Sequence, residues 1–362
     1  MSIRHRTRIC ASGLLAVLSM VVFATGSAGA GTAPSVREPV DVVLMSTSFG
    51  THMYEVGVAY ERVFREADSW VRIRHQETPG GMYMFRYIAT NREKMIAGDI
   101  PHTLAVGALT SVGFVAQGRP PFEKCPWPTT RTLVSNPAMV MAFGTFREDI
   151  AGLADLTGKT VGTAESARPF AGVLIDRALF GKGIGNTDGI NWAPLGFMGC
   201  KDALLNGTID ATTLGFVGKV NVDGDGGYIV SALAPTPPTL MLLNAGRTIH
   251  FLTVDRQWVD QGFDFSTDPI MYPARLPANS LPGLKEDIGV LVAFGLIQCD
   301  ASLPDDIAAE IVRVRHVCRE RFARVHASLA LLPDSPYPIG SPKQYVHPAV
   351  FNAMAALGLQ AP

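Results

Sequence analysis

The sequence predicts an α/β protein of two lobes, each a largely parallel sheet flanked by helices, with a ligand cleft between them. Three observations carry this expectation. The chain has 362 residues, 47% of them hydrophobic, which suits two cores of ordinary domain size better than one. Short β-branched apolar runs alternate with segments of helical period, the pattern of a doubly wound sheet. The alternation occurs twice, and in each half a loop of small polar residues opens a helix.

In the first half, residues 40–45 (VDVVLM) read as a buried strand and residues 46–51 as a small-residue loop. Val56, Tyr60, Val63 and Phe64 share one face of a helix over 53–66. A strand at 71–76, a Gly-rich turn at 78–81, a helix at 82–97 and a strand at 104–106 follow. Residues 132–143 are strand-like and suit a connection between lobes.

The second half repeats the pattern. A short helix at 150–156 precedes a strand at 160–163 and a loop at 164–168. Pro169 fits the first turn of a helix, where its missing N–H costs nothing, and that helix extends to about Phe180. Residues 181–185 (GKGIG) follow a helix rather than a strand, so they read as its stop and not as a dinucleotide loop. A strand at 191–194, a helix at 200–205 closed by Asn206-Gly207, and a strand at 209–214 come next. The chain returns through 248–254 and 288–298 to one long amphipathic helix at 303–332. Its stripe of Ile307, Ile311, Val314, Cys318, Phe322, Val325 and Leu329 reads as core packing. A last helix covers 349–357. The expected division is 31–138 plus 252–362 for lobe one and 139–251 for lobe two.

Composition excludes several functions. Charged residues are 17% and the formal net charge is -1, so nothing matches a phosphate backbone and no nucleic-acid partner is expected. Arg4, Arg6 and Arg8 precede an apolar run at 13–24 and small residues ending in Ala28-Gly29-Ala30. This is the form of a secretory signal over residues 1–30, which places the mature chain in the periplasm; a short membrane anchor is the alternative. Cys125, Cys200, Cys299 and Cys318 then remain. They allow three pairings; a Cys299–Cys318 bridge and buried free thiols both stay open. No cysteine or histidine has zinc spacing. Residues 221–226 (NVDGDG) open like an EF-hand, but Ala232 stands where the bidentate glutamate is required. HExxH, GxSxG and P-loop motifs are missing, so neither catalytic residues, a cofactor nor a metal is expected.

The candidate ligand residues lie in three loops. The first supplies Ser46, Ser48, Phe49, Gly50, Thr51, His52 and Tyr54; the second, Glu165, Ser166 and Arg168; the third, Thr78, Gly80 and Gly81. Phe216, just past the strand at 209–214, completes the set. Helix N-termini offer free N–H groups to a carboxylate or phosphate, and open α/β sheets bind ligands beyond the carboxyl ends of their strands. Arg168 sits near a helix start, where the dipole disfavours a cation unless it faces an anion that its guanidinium can grip bidentately. Pairing with Glu165 is the alternative for Arg168, and capping and turn chemistry the alternative for the loops.

Several short motifs recur in order along the chain. Residues 46–57 (STSFGTHMYEVG) keep Gly50, Tyr54, Val56 and Gly57. Ala97-Gly98-Asp99 and Ala116-Gln117-Gly118 with Phe122 follow, then LADLTGKTV at 153–161, NGTIDA at 206–211, and Tyr345-Val346-His347-Pro348-Ala349 with Gly358. Over nearly the whole mature chain this resembles the TAXI-type solute receptors of tripartite ATP-independent periplasmic (TRAP) transporters. The resemblance implies a type II periplasmic-binding-protein-like fold, a hinge of crossing strands and closure over the ligand. It implies a small organic anion, a carboxylate or amino acid, as ligand, TRAP-type membrane permease subunits as partners, and a monomer. Thr47, Ser48, Phe49 and His52 replace glycines usual in the first loop, and Arg168-Pro169-Phe170 replaces the usual second loop. These departures fall where ligand specificity resides. A periplasmic sensing subunit is the alternative function, and an enzyme on the same scaffold is the third.

Overall fold

Residues 37–47, 49, 51–108, 111–119, 122–163, 176–185, 189–262 and 271–361 are described by the computed structural model. Strand β1 (Val40–Ser46) lies between β2 (Val71–Glu77) and β3 (His102–Ala108), parallel to both. Side chains alternate across a strand, and here both faces are covered. Val42 and Leu44 join Val56, Tyr60 and Phe64 of helix α1 (His52–Glu66) in one core. Met45 goes to the other face, against Met84, Phe85 and Ile88 of α2 (Gly81–Ala97).

Two long strands organise the remainder. β4 (Thr130–Thr145) and β11 (Ile288–Asp300) pair antiparallel, then diverge to different partners. β11 borders β3, whereas the end of β4 borders β7 (Ala211–Val222). The short strand β5 (Thr160–Thr163) pairs parallel with β7, and β6 (Asn191–Pro194) pairs parallel with β5. With β8 (Tyr228–Pro235), β9 (His250–Leu252) and β10 (Tyr272–Leu276), these make an 11-stranded mixed sheet. Two parallel groups, β2-β1-β3 and β6-β5-β7, are thus joined through β4 and β11.

Midway along the long strands the pairing shifts between Ala293 and Gly295, so that Pro137 and Ala138 oppose Phe294. Proline cannot donate to a ladder and is tolerated at such a bulge.

The expected helix at 303–332 is three pieces: α8 (Asp305–Val317), α9 (Arg319–Val325) and a 3-10 turn (Ala327–Leu331). His326 adopts extended φ and ψ of -149° and 137°, and its ring accepts from the Ser328 N–H to start the last turn. The apolar stripe nevertheless stays inside, with Ile307, Ile311, Val314, Phe322 and Leu329 all buried. The stop expected at 181–185 is also displaced. Segment α4 (Asp176–Ile184) has wide, π-type turns and runs through Gly181 and Gly183 before Gly185 turns left-handed at φ +79°. Gly183 is small for a packing reason: a Cβ there would lie 2.4 Å from the carbonyl oxygen of Trp258, on helix α7 (Arg256–Gly262).

Helices α3 (Val112–Gln117), α5 (Gly196–Leu205), α6 (Pro237–Leu243) and α10 (Pro348–Ala356) complete the layers. Cys125, Cys200, Cys299 and Cys318 are free thiols; Cys299 and Cys318 sit unbridged in the α1–α8 core. Residues 223–227 close the β7–β8 hairpin. There the Asp223 N–H donates to Gly227 O and the Asp223 carboxylate pairs with Arg275 at 2.9 Å. Among the described residues no acidic, His or Cys group could hold a metal, and no helix is long and apolar enough to cross a membrane. The expected signal segment, residues 1–30, lies outside the described residues.

Candidate functional site

The carboxyl ends of parallel strands β1 and β2 bring Ser46, Glu77 and Thr78 together. Ser46 is fully buried, and its Oγ lies 2.7 Å from His75 Nε2. Its carbonyl accepts from both the N–H of Thr78 (3.0 Å) and Thr78 Oγ1 (2.6 Å). Ser46 and Thr78 therefore lace the two strand ends together, and their polar atoms are engaged in doing so. His75 was not among the expected residues. The signal was available in Gly57: a Cβ there would meet the His75 ring at 2.4 Å, so a glycine leaves room for the imidazole. Burial lowers the His75 pKa, while Glu61, Glu77 and Glu55 act against it.

The two helices that open at this edge differ. Thr51 caps α1, accepting from the Tyr54 N–H at 3.2 Å, and Glu55 lies in the first turn. Thr47 Oγ1 and Thr51 Oγ1 are 2.5 Å apart. The Phe49 N–H donates to the Glu77 carboxylate at 2.9 Å, and the Phe49 ring stands edge-on to Tyr54, itself edge-on to His75. Thr51 thus satisfies the start of its own helix, and the carboxylates of Glu55 and Glu77 stand on the α1 first turn and on the Phe49 N–H. Phe49, 75% exposed, is the first loop's outward contact surface.

Helix α2 begins without such help. Gly80 is its N-cap, no side chain caps it, and the first turn holds no acidic residue. The N–H groups of Tyr83 and Met84 turn back to Gly80 O at 3.0 and 3.2 Å. By helix geometry the first-turn amides of Gly81 and Met82 are then the ones an anion can meet. Gly80 sits at φ 148° and ψ -179°, a conformation that is essentially glycine's alone.

Two expected ligand residues face elsewhere. His52 turns towards the 3-10 turn after α9, with Nδ1 3.1 Å from Ser328 Oγ. Burial, with a smaller contribution from His326, lowers its pKa from 6.5 to about 4. Phe216 is fully buried in the β4–β7–β11 core, paired with Val140 and Pro235, and has no free surface to offer. Near a helix start, or in a strand as buried as β7, sequence period does not say which side chains reach an open surface. Ser48, Gly50, Glu165, Ser166 and Arg168 lie outside the described residues.

Comparison with solved structures settles the fold. The chain is similar to the periplasmic sulfonate-binding protein of a putative sulfonate ABC transporter from Methylobacillus flagellatus KT, with TM-score 0.50 and 11% identity. The match covers 90% of this chain and 97% of that one. This is the two-lobed fold of periplasmic binding proteins. A periplasmic transporter structure (TM-score 0.44, 12% identity, 89% and 95% covered) also matches. So does a TctC solute-binding protein from Polaromonas (0.44, 13%, 90% and 99%). A family model described as NMT1/THI5 like matches residues 130–233, from the start of β4 into β8 of this binding-protein fold. No curated protein sequence matches the chain.

Proposed function

We propose that this binding-protein fold serves as a periplasmic solute receptor that captures a small organic anion, a carboxylate or an amino acid, for a TRAP-type membrane permease. One observation carries the anion assignment: α2 opens at the carboxyl edge of β1 and β2 with no side-chain cap and no first-turn carboxylate, whereas α1 beside it has both. An uncapped helix start attracts negative charge. In this reading lobe one comprises residues 31–138 and 252–362, lobe two 139–251, and residues 1–30 are a cleaved export signal. Arg168 supplies a guanidinium to the carboxylate, the Gly81 and Met82 amides meet it from the first lobe, and Phe49 covers its apolar part. Capture is reversible and needs no covalent step.

The test is a thermal-shift screen of the mature chain against dicarboxylates, amino acids and alkanesulfonates, followed by calorimetry on any hit. A bound ligand raises the melting temperature. Arg168→Ala should weaken a carboxylate hit by at least tenfold, since a charge-assisted bidentate contact is lost. Unchanged affinity in that variant would rule out the anion site. Co-purification of the loaded receptor with TRAP permease subunits, against ABC permease subunits, decides the transporter class.

A further inference from the structure

His75, on β2, reaches the first loop along two separate paths. The polar path runs through Ser46. A hydroxyl carries one hydrogen, and that of Ser46 goes to the Thr47 carbonyl at 3.0 Å, which can only accept. His75 Nε2, 2.7 Å from the same Oγ, must then be the donor. The neutral ring therefore carries its hydrogen on Nε2. Thr47 continues the path, with Oγ1 2.5 Å from Thr51 Oγ1, and Thr51 Oγ1 accepts from the Tyr54 N–H at 3.2 Å.

The second path is aromatic. The Tyr54 ring stands 4.9 Å from the imidazole at 78°, and the Phe49 ring 5.3 Å from Tyr54 at 81°. Edge-to-face pairs of this kind favour one relative placement of the rings. The Phe49 N–H is also tied to Glu77, two residues beyond His75 on the same strand. The imidazole is wedged in place by α1: a Cβ at Gly57 would lie 2.4 Å from its Cδ2 and 2.6 Å from its Nε2. One side chain, held between the end of β1 and the side of α1, thus touches the root of both paths.

We propose that His75 is a positioning residue of the ligand edge: through Ser46 and Tyr54 it sets the pose in which the first loop presents the Phe49 ring to the apolar part of a bound carboxylate. The ligand in this inference rests on the receptor reading above; the positioning of Phe49 does not. No smaller set of atoms fills both roles. Glutamine brings a donor to Ser46 and lacks the ring, whereas phenylalanine keeps the ring and lacks the donor.

The test puts para-fluorophenylalanine in place of Phe49 in the mature chain and reads its fluorine resonance without ligand. His75→Gln and His75→Phe should each move that resonance towards its value in the urea-unfolded chain. Gln76→Ala, exposed on the same strand, should leave it in place. Imidazole nitrogen shifts at about pH 8, where the ring is neutral, should show the Nε2–H tautomer. Calorimetry with benzoate and acetate reads the consequence. In both His75 variants the ratio of benzoate to acetate affinity should fall about fivefold or more, the scale of a lost aromatic contact. A general loss of stability would not change that ratio. If the His75 variants fail to fold, Ser46→Ala, which cuts the polar path, and Tyr54→Leu, which cuts the aromatic one, decide by the same readouts. An unmoved fluorine resonance in either variant, or the Nδ1–H tautomer, overturns the positioning role, and a moved resonance with unchanged selectivity overturns its link to the ligand. If the wild-type chain binds neither acid, the receptor reading of this edge fails, while the fluorine comparison still decides what His75 does.

Discussion

Gly295 packs against Pro137 so closely that a Cβ at 295 would lie 2.3 Å from the Pro137 carbonyl oxygen. The contact falls at the bulge where β4 and β11 stop pairing in register. The obstacle is backbone, so the larger residue cannot be accommodated by a rotamer change. Gly295→Ala should lower stability by about 2 kcal/mol or more, the usual cost of forcing atoms into a packed interior. Urea denaturation followed by circular dichroism measures it; an unchanged midpoint would show that the strands slide apart freely there.

Gly80→Ala isolates backbone conformation from packing. Nothing lies within 4 Å of a Cβ at this position, yet its φ is +148°. The substitution should cost about 1–3 kcal/mol through strain alone. It should also weaken any ligand that uses the start of α2, whereas Gly98→Ala, at the other end of the same helix, should leave affinity as it was. Calorimetry with a ligand from the thermal-shift screen makes the comparison.

His52 gives stability a pH dependence. Its folded pKa is about 4 against an ordinary 6.5, so as pH falls the unfolded chain takes up the proton first. The contribution is intact above pH 6.5, is lost progressively down to about pH 4, and is constant below that. The lowered value corresponds to about 3 kcal/mol. In His52→Phe the fall in stability between pH 6.5 and 4 should be shallower by up to one proton. Denaturation midpoints across that range test it, with identical slopes counting against the burial of this ring.

Phe216→Ala should behave as a core truncation. The ring is fully buried, and removing it should cost about 3–5 kcal/mol. Any ligand that binds the folded variant should do so with wild-type affinity. A selective loss of affinity at unchanged stability would return Phe216 to the ligand site.

Much of the fold was legible because local pattern and burial agree. The apolar run at 40–45 and the helical face of Val56, Tyr60, Val63 and Phe64 meet in one core, as their periods require. Elements with mixed faces were harder to see. β8 and β10 are half-exposed and short, and α6 and α7 are each 7 residues, too few for a helical period to stand out. The break between α8 and α9 was hidden because the stripe of buried residues continues across it.

The sequence by itself determined the alternation of strands and helices, the small-residue loops at strand ends and the absence of familiar catalytic motifs, since these follow from residue type and spacing. Tertiary structure alone decided that Ser46 and Thr78 brace strands and that His52 and Phe216 face inward. Such outcomes depend on which distant backbone closes over a side chain, and neighbours in space are not neighbours in sequence.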